Sequence, residues 1–224
     1  MKAFVVDLDS SENQSILKPI ARPFNNQAHQ VNEAAEKIHE LIKNAPYSND
    51  NIVLKRNEIK EAFFSPFKPQ LKNAQVFLSH SHADKNEALK VKGYLESKTN
   101  HKMFVDSLFW DYKDDVLNKL AEYDDISGIE DAFTLILRES LEDMIKKCPY
   151  FVFLQSNNSV SLNQGLSQIT YSAWIYEELK IAHSISESRP IPMMESMQVF
   201  HDISPFLESF ETIRLSKLSR IINS

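Results

Sequence analysis

Short apolar runs alternate with helical periodicity from residue 74 onward, and that alternation leaves few architectures open. Val76-Phe-Leu78, Met103-Phe-Val105 and Tyr150-Phe-Val-Phe-Leu154 are brief and unbroken by polar residues, so each reads as a buried strand. Helical stretches separate and follow them. Residues 84–97 offer Leu89, Val91, Tyr94 and Leu95 for burial, and residues 111–123 can form an acidic helix. Residues 129–147 carry Ile129, Phe133, Ile136, Leu137, Leu141, Met144 and Ile145 in helical register, and residues 171–186 form another helix. Residues 190–194 and 211–215 are predicted as the last strands, with a closing helix over 215–222. Such a pattern predicts a parallel sheet covered by helices on both sides.

Residues 1–73 read as a separate, mainly helical N-terminal extension, and residues 74–224 as the α/β domain. Phe4-Val-Val-Asp-Leu8 predicts a short strand. Residues 28–44 place Val31, Ala34, Ala35, Ile38, Leu41 and Ile42 on one helical face, and Pro46 ends it. A shorter helix is predicted over 56–64, and Ser65-Pro-Phe-Lys-Pro69 then reads as a linker. At 224 residues and 42% hydrophobic, the chain can bury one substantial core.

Composition narrows the function classes. Net charge is −6 and the 25 Lys and Arg form no basic run, which disfavours a nucleic-acid binder. The opening apolar run is too short for a signal peptide, and no stretch reaches the roughly 18 apolar residues of a membrane span. With Cys148 the single cysteine, no internal disulfide can form, so a reducing, cytoplasmic setting is expected. Only three glycines occur, which argues against a glycine-rich phosphate loop.

In open parallel sheets, ligands bind beyond the carboxyl ends of the strands. His80, Ser81, Asp106, Ser107, Gln155 and Ser156 fall there. His80-Ser-His-Ala-Asp84 resembles the His-x-His-x-Asp-His motif of metallo-β-lactamase-like hydrolases, which use such donors to hold metal. Lys85 stands where the last ligand histidine would be, so no metal and no bound cofactor are expected. The plainer reading is that His80 closes a strand or contacts substrate while Ser81 or Asp84 caps the next helix. Trp174 and Glu178 are four residues apart and share a helix face. Phe104, Phe109, Trp110 and Tyr112 cluster in sequence around Asp106, with Phe109 and Trp110 in a predicted loop.

Taken in order, these pieces resemble a Toll/interleukin-1 receptor domain. Val76-Phe-Leu-Ser-His-Ser-His-Ala-Asp-Lys85 is similar to that family's opening strand and first helix start. Phe104-Val-Asp106 is similar to its second strand, and Phe151-Val-Phe-Leu-Gln-Ser156 to its third. Ser172-Ala-Trp-Ile-Tyr-Glu-Glu-Leu179 is similar to its Ser-x-Trp-x-x-x-Glu-Leu helix. The loop after Asp106 lacks the family's Pro-Gly or Gly, residues 111–127 are longer than usual, and residues 1–73 match nothing in the family.

The resemblance implies a three-layer, flavodoxin-like parallel sheet. It also implies cleavage of the nicotinamide–ribose bond of NAD, by hydrolysis or by cyclisation to an ADP-ribose signal, as in bacterial antiphage (Thoeris-type) immunity. NAD would then be the substrate and Glu178 the catalytic carboxylate. His80 and Ser81 would line ribose and phosphates, Trp174 the nicotinamide pocket, and Asp106, Phe109 and Trp110 the far side of the cleft. Self-association through the domain, and a downstream effector that senses the nucleotide product, are the partners implied. Two alternatives stand beside it: a non-catalytic interaction or scaffold module, and a metallohydrolase using His80, His82 and Asp84.

Overall fold

The computed structural model describes residues 1–17, 27–48, 51–52, 54–65, 72–123, 125–126, 129–162, 167–186 and 201–223. It divides into two compact units: Met1–Ile20 with Ala74–Ser107 and Leu141–Ser224, and Ala21–Asn73 with Leu108–Ser140.

The first unit holds the central sheet. Its strands are β1 (Lys2–Asp7), β4 (Ala74–Ser79), β5 (Lys102–Val105), β6 (Tyr150–Gln155) and β10 (Glu211–Thr212), in the order β10-β1-β6-β4-β5. Every neighbouring pair is parallel. Around it lie α1 (Ser11–Ile16), α4 (Lys85–Lys98), α7 (Ala173–Ser186), α8 (Ser204–Ser209) and α9 (Leu215–Ile222). A small antiparallel sheet joins β7 (Ser161–Leu162), β8 (Gln168–Thr170) and β9 (His201–Asp202).

This is an α/β fold on a five-stranded parallel sheet flanked by helices, compatible with the flavodoxin-like expectation. From the β5 edge inward, β5, β4 and β6 fit the first three places of a 2-1-3-4-5 order. The next place belongs to β1, a strand from the opposite end of the sequence. The strand expected over 190–194 lies outside the described residues.

The sheet therefore does not respect a boundary at residue 73. Strand β1 is apolar through Phe4, Val5 and Val6, all buried, and pairs with β6 along its whole length, from Lys2 beside Tyr150 to Asp7 beside Gln155. Its other edge pairs with β10, so β1 lies inside the sheet rather than in a separate extension. Phe104, Phe77 and Phe151 form a row across β5, β4 and β6, with ring centroids 5.5 and 5.7 Å apart. Because side chains alternate along a strand, Ser79 shares the face of Phe77 at the carboxyl end of β4.

The second unit contains α2 (Gln27–Lys43), the β2–β3 hairpin (Tyr47–Ser48, Asn51–Ile52) and α3 (Arg56–Phe64), with most of α5 (Ser107–Leu120) and the first half of α6 (Glu130–Lys147). Helices α2 and α3 pack on each other. Phe63 is fully buried against the rings of Phe64, Tyr112 and Phe133, and the Tyr112 hydroxyl donates to the Phe63 carbonyl at 3.0 Å.

The predicted helix over 111–123 begins earlier than expected. Residues 107–110, read as an aromatic loop, already belong to α5. Asp106 explains the early start: its Oδ1 accepts from the Ser107 amide at 2.7 Å, covering one of the donors a helix N-terminus leaves open. No helix among the described residues is long and apolar enough to cross a membrane.

Candidate functional site

At the carboxyl ends of β4 and β5, four side chains converge from three elements. Strand β4 ends in Ser79 and His80, β5 is followed by Asp106, and α7 supplies Glu178. Ser172 starts α7 by accepting from the Ile175 amide at 3.3 Å. The buried stripe of that helix runs Ile175, Glu178, Leu179 and Ala182, so a carboxyl group occupies a position the helical pattern reserves for the core.

Glu178 is 0% exposed. Its Oε2 accepts from the Ser79 hydroxyl at 2.5 Å. Its Oε1 is buried with no conventional donor, and the carboxyl lies against that of Asp106. Burial first, and then the negative charge of Asp106, push the Glu178 carboxyl well above the usual glutamate range; the Ser79 hydrogen bond pulls the other way.

Asp106 is itself buried and faces three ways. It takes the Ser107 amide, lies 2.5 Å from His80 Nδ1, and meets Glu178. The His80 contact is close, but its alignment falls short of a straight N–H···O bond. The Ser107 hydroxyl, 1% exposed, has no hydrogen-bond partner.

A second polar cluster occupies the loop after β6. Asp84 is buried and accepts from the Ser156 hydroxyl at 2.5 Å and from the Asn158 amide at 2.6 Å, one donor on each oxygen. Ser156 is fixed further by its own amide, which donates to Ser159 Oγ at 2.8 Å. The Asn157 amide donates to Asp9 just beyond β1, at 2.9 Å. The β6 loop is thus tied to both β4 and β1.

The structure brings Ser79, His80, Asp106 and Glu178 together. Ser81 is half-buried in the turn leading to α4, and Trp174 is half-buried in the first turn of α7. Phe109 and Trp110 lie on α5, not in a loop, and their side chains are outside the described residues. Neither Ser81 nor Asp84 caps the following helix through its side chain. Asp84 spends both oxygens on the β6 loop instead. His80, His82 and Asp84 are not gathered around one point: His80 meets Asp106, Asp84 meets Ser156 and Asn158, and His82 is exposed. Among the described residues, no group of three His, Cys, Asp or Glu is placed to hold a metal.

Sequence reasoning missed Ser79 and the role of Asp106. Ser79 was visible as the one polar residue ending an apolar run, but its partner lies 99 residues away. No family model matches this chain, and no curated protein and no solved structure matches it.

Proposed function

We propose that this protein cleaves the nicotinamide–ribose bond of NAD, with Glu178 as the catalytic carboxylate. One observation carries the reading: a helix-borne carboxyl reaches the carboxyl ends of two parallel strands, where ligands of such sheets bind, and stands beside a second carboxyl that itself meets a histidine.

The chemistry suits so few groups. Nicotinamide leaves as a neutral molecule when the C–N bond breaks, so no general acid is needed. The ribosyl centre left behind is an oxocarbenium-like cation, and a carboxylate beside it supplies the stabilising charge. Water then adds to give ADP-ribose and a proton, or a nucleophile within the same molecule closes a cyclic product. A defence setting, self-association and an effector that senses the product come with the resemblance and belong to the same proposal.

A second reading has its own support. Glu178 is sealed from solvent, as a purely structural polar core would be, and the domain would then serve as an interaction module. Incubation of the purified protein with NAD separates the two. The enzyme releases nicotinamide, and Glu178→Gln lowers that rate by about two to three orders of magnitude. Release by the wild type that survives unchanged in Glu178→Gln removes the assignment.

A further inference from the structure

We propose that Asp106 is a positioning residue: it keeps one proton on Glu178 while the site is empty, and Glu178 gives that proton up when a positively charged ligand group arrives beside the pair. The cation's identity as the nicotinamide ring rests on the reading above; the shared proton does not.

The geometry supports a division of labour within the pair. Asp106 sits at the N-terminus of α5, takes the Ser107 amide at 2.7 Å and faces His80 Nδ1 at 2.5 Å. A helix N-terminus, an amide donor and an imidazole thus already surround this carboxyl. Among the described residues, Glu178 has the Ser79 hydroxyl on one oxygen, and its other oxygen is buried against Asp106 with no hydrogen-bond donor. A proton placed on Glu178 turns that repulsive contact into a hydrogen bond from Glu178 to Asp106.

Among the described residues, the other groups near α7 do not supply the missing charge; His201 of β9 stacks on Tyr176, and burial pushes its pKa down. On α7 itself, Glu177 and Lys180 pair with each other at 3.8 Å, and His183 is engaged by Ser209 on α8 at 2.8 Å. Glu208 of α8 and Asp7 at the end of β1 are exposed, and β8 carries no ionisable side chain. Asp106 is the charge that acts on Glu178.

A cation entering beside two carboxyls that carry one negative charge removes the reason for the proton. Glu178 then ionises, the proton leaves to solvent, and the carboxylate is created at the moment its charge is useful. An empty site with a bare carboxylate would instead hold an unpaired charge out of water, at high cost.

Infrared difference spectra of wild type against Glu178→Gln test this without reference to activity. A protonated carboxylic-acid C=O band is expected at neutral pH in the empty wild-type protein. Asp106→Asn should move the loss of that band to lower pH, and Ser79→Ala, which removes the Ser79 donor, should move it to higher pH. Asn remains a good helix-start residue, so Asp106→Asn leaves the opening of α5 intact. Nicotinamide release should follow the same two shifts in its acidic limb, because only the ionised Glu178 is productive. Absence of the band in wild type at neutral pH overturns the proposal, and so do shifts of equal sign in the two variants. A wild type that shows the band and both shifts but never releases nicotinamide keeps the shared proton and removes the NAD reading.

Discussion

Two buried carboxyls lie at the same end of the sheet and are treated in opposite ways. Asp84 has a neutral donor on each oxygen, both from the β6 loop. Glu178 has one donor, and its second oxygen meets another carboxyl. Burying a carboxyl is costly unless its hydrogen bonds are restored. Asp84 meets that requirement by stitching the β6 loop to the start of α4, which is a structural use. Glu178 meets it only by holding a proton, and a carboxyl kept in that condition is available for something else.

The sharpest break in this comparison is a crossed pair of variants. Glu178→Gln should abolish nearly all nicotinamide release, by about 10²–10³-fold, yet cost no stability at neutral pH. Glutamine mimics the protonated acid, with its oxygen accepting from Ser79 and its amide donating to Asp106. Asp84→Ala should do the reverse. It strands the buried Ser156 hydroxyl and releases the Asn158 side chain, and should cost about 1–3 kcal/mol in urea unfolding, while turnover per folded molecule stays near wild type. Equal stability losses in the two variants would erase the distinction.

The pH dependence of stability offers a smaller effect. The folded state holds the Glu178 proton at pH values where the unfolded chain has released it. Its contribution is complete below the ordinary glutamate range and is lost as pH rises toward the raised folded value. One proton corresponds to a slope of about 1.4 kcal/mol per pH unit across that interval. Urea midpoints measured from mildly acid to neutral pH should decline more steeply in wild type than in Glu178→Gln; parallel curves would contradict the raised carboxyl. Smallest is the behaviour of Cys148. Burial at the end of α6 raises its thiol to about 12, so native protein should resist alkylation at neutral pH and react only on unfolding.

Local periodicity made most helices and strands legible. The predicted helix over 56–64 matches α3, and the run from Tyr150 matches the start of β6. What sequence could not convey was which distant segments meet. Asp84 looked like a helix cap because capping is a local habit, but its donors lie 72 and 74 residues on. Phe109 and Trp110 looked like loop residues because two bulky aromatics obscured the helical pattern, while Asp106 was already starting α5. Glu178 was singled out by its spacing from Trp174, yet its burial depends on β4 and Asp106, which no helical wheel contains. Strand β1 was read correctly as a strand and wrongly as part of an extension, since pairing partners leave no trace within six residues.

That placement of β1 reaches beyond architecture into biogenesis. On the ribosome, Lys2–Asp7 emerge long before Tyr150–Gln155, the segment they zip against, and β10 comes later still. An apolar ribbon must therefore wait unpaired until Tyr150–Gln155 has been made, exposed to chaperones and to stray strands. Closing so wide a loop is slow for any chain rich in non-local pairing. The interior of the sheet is sealed late, around a strand made well before its partners.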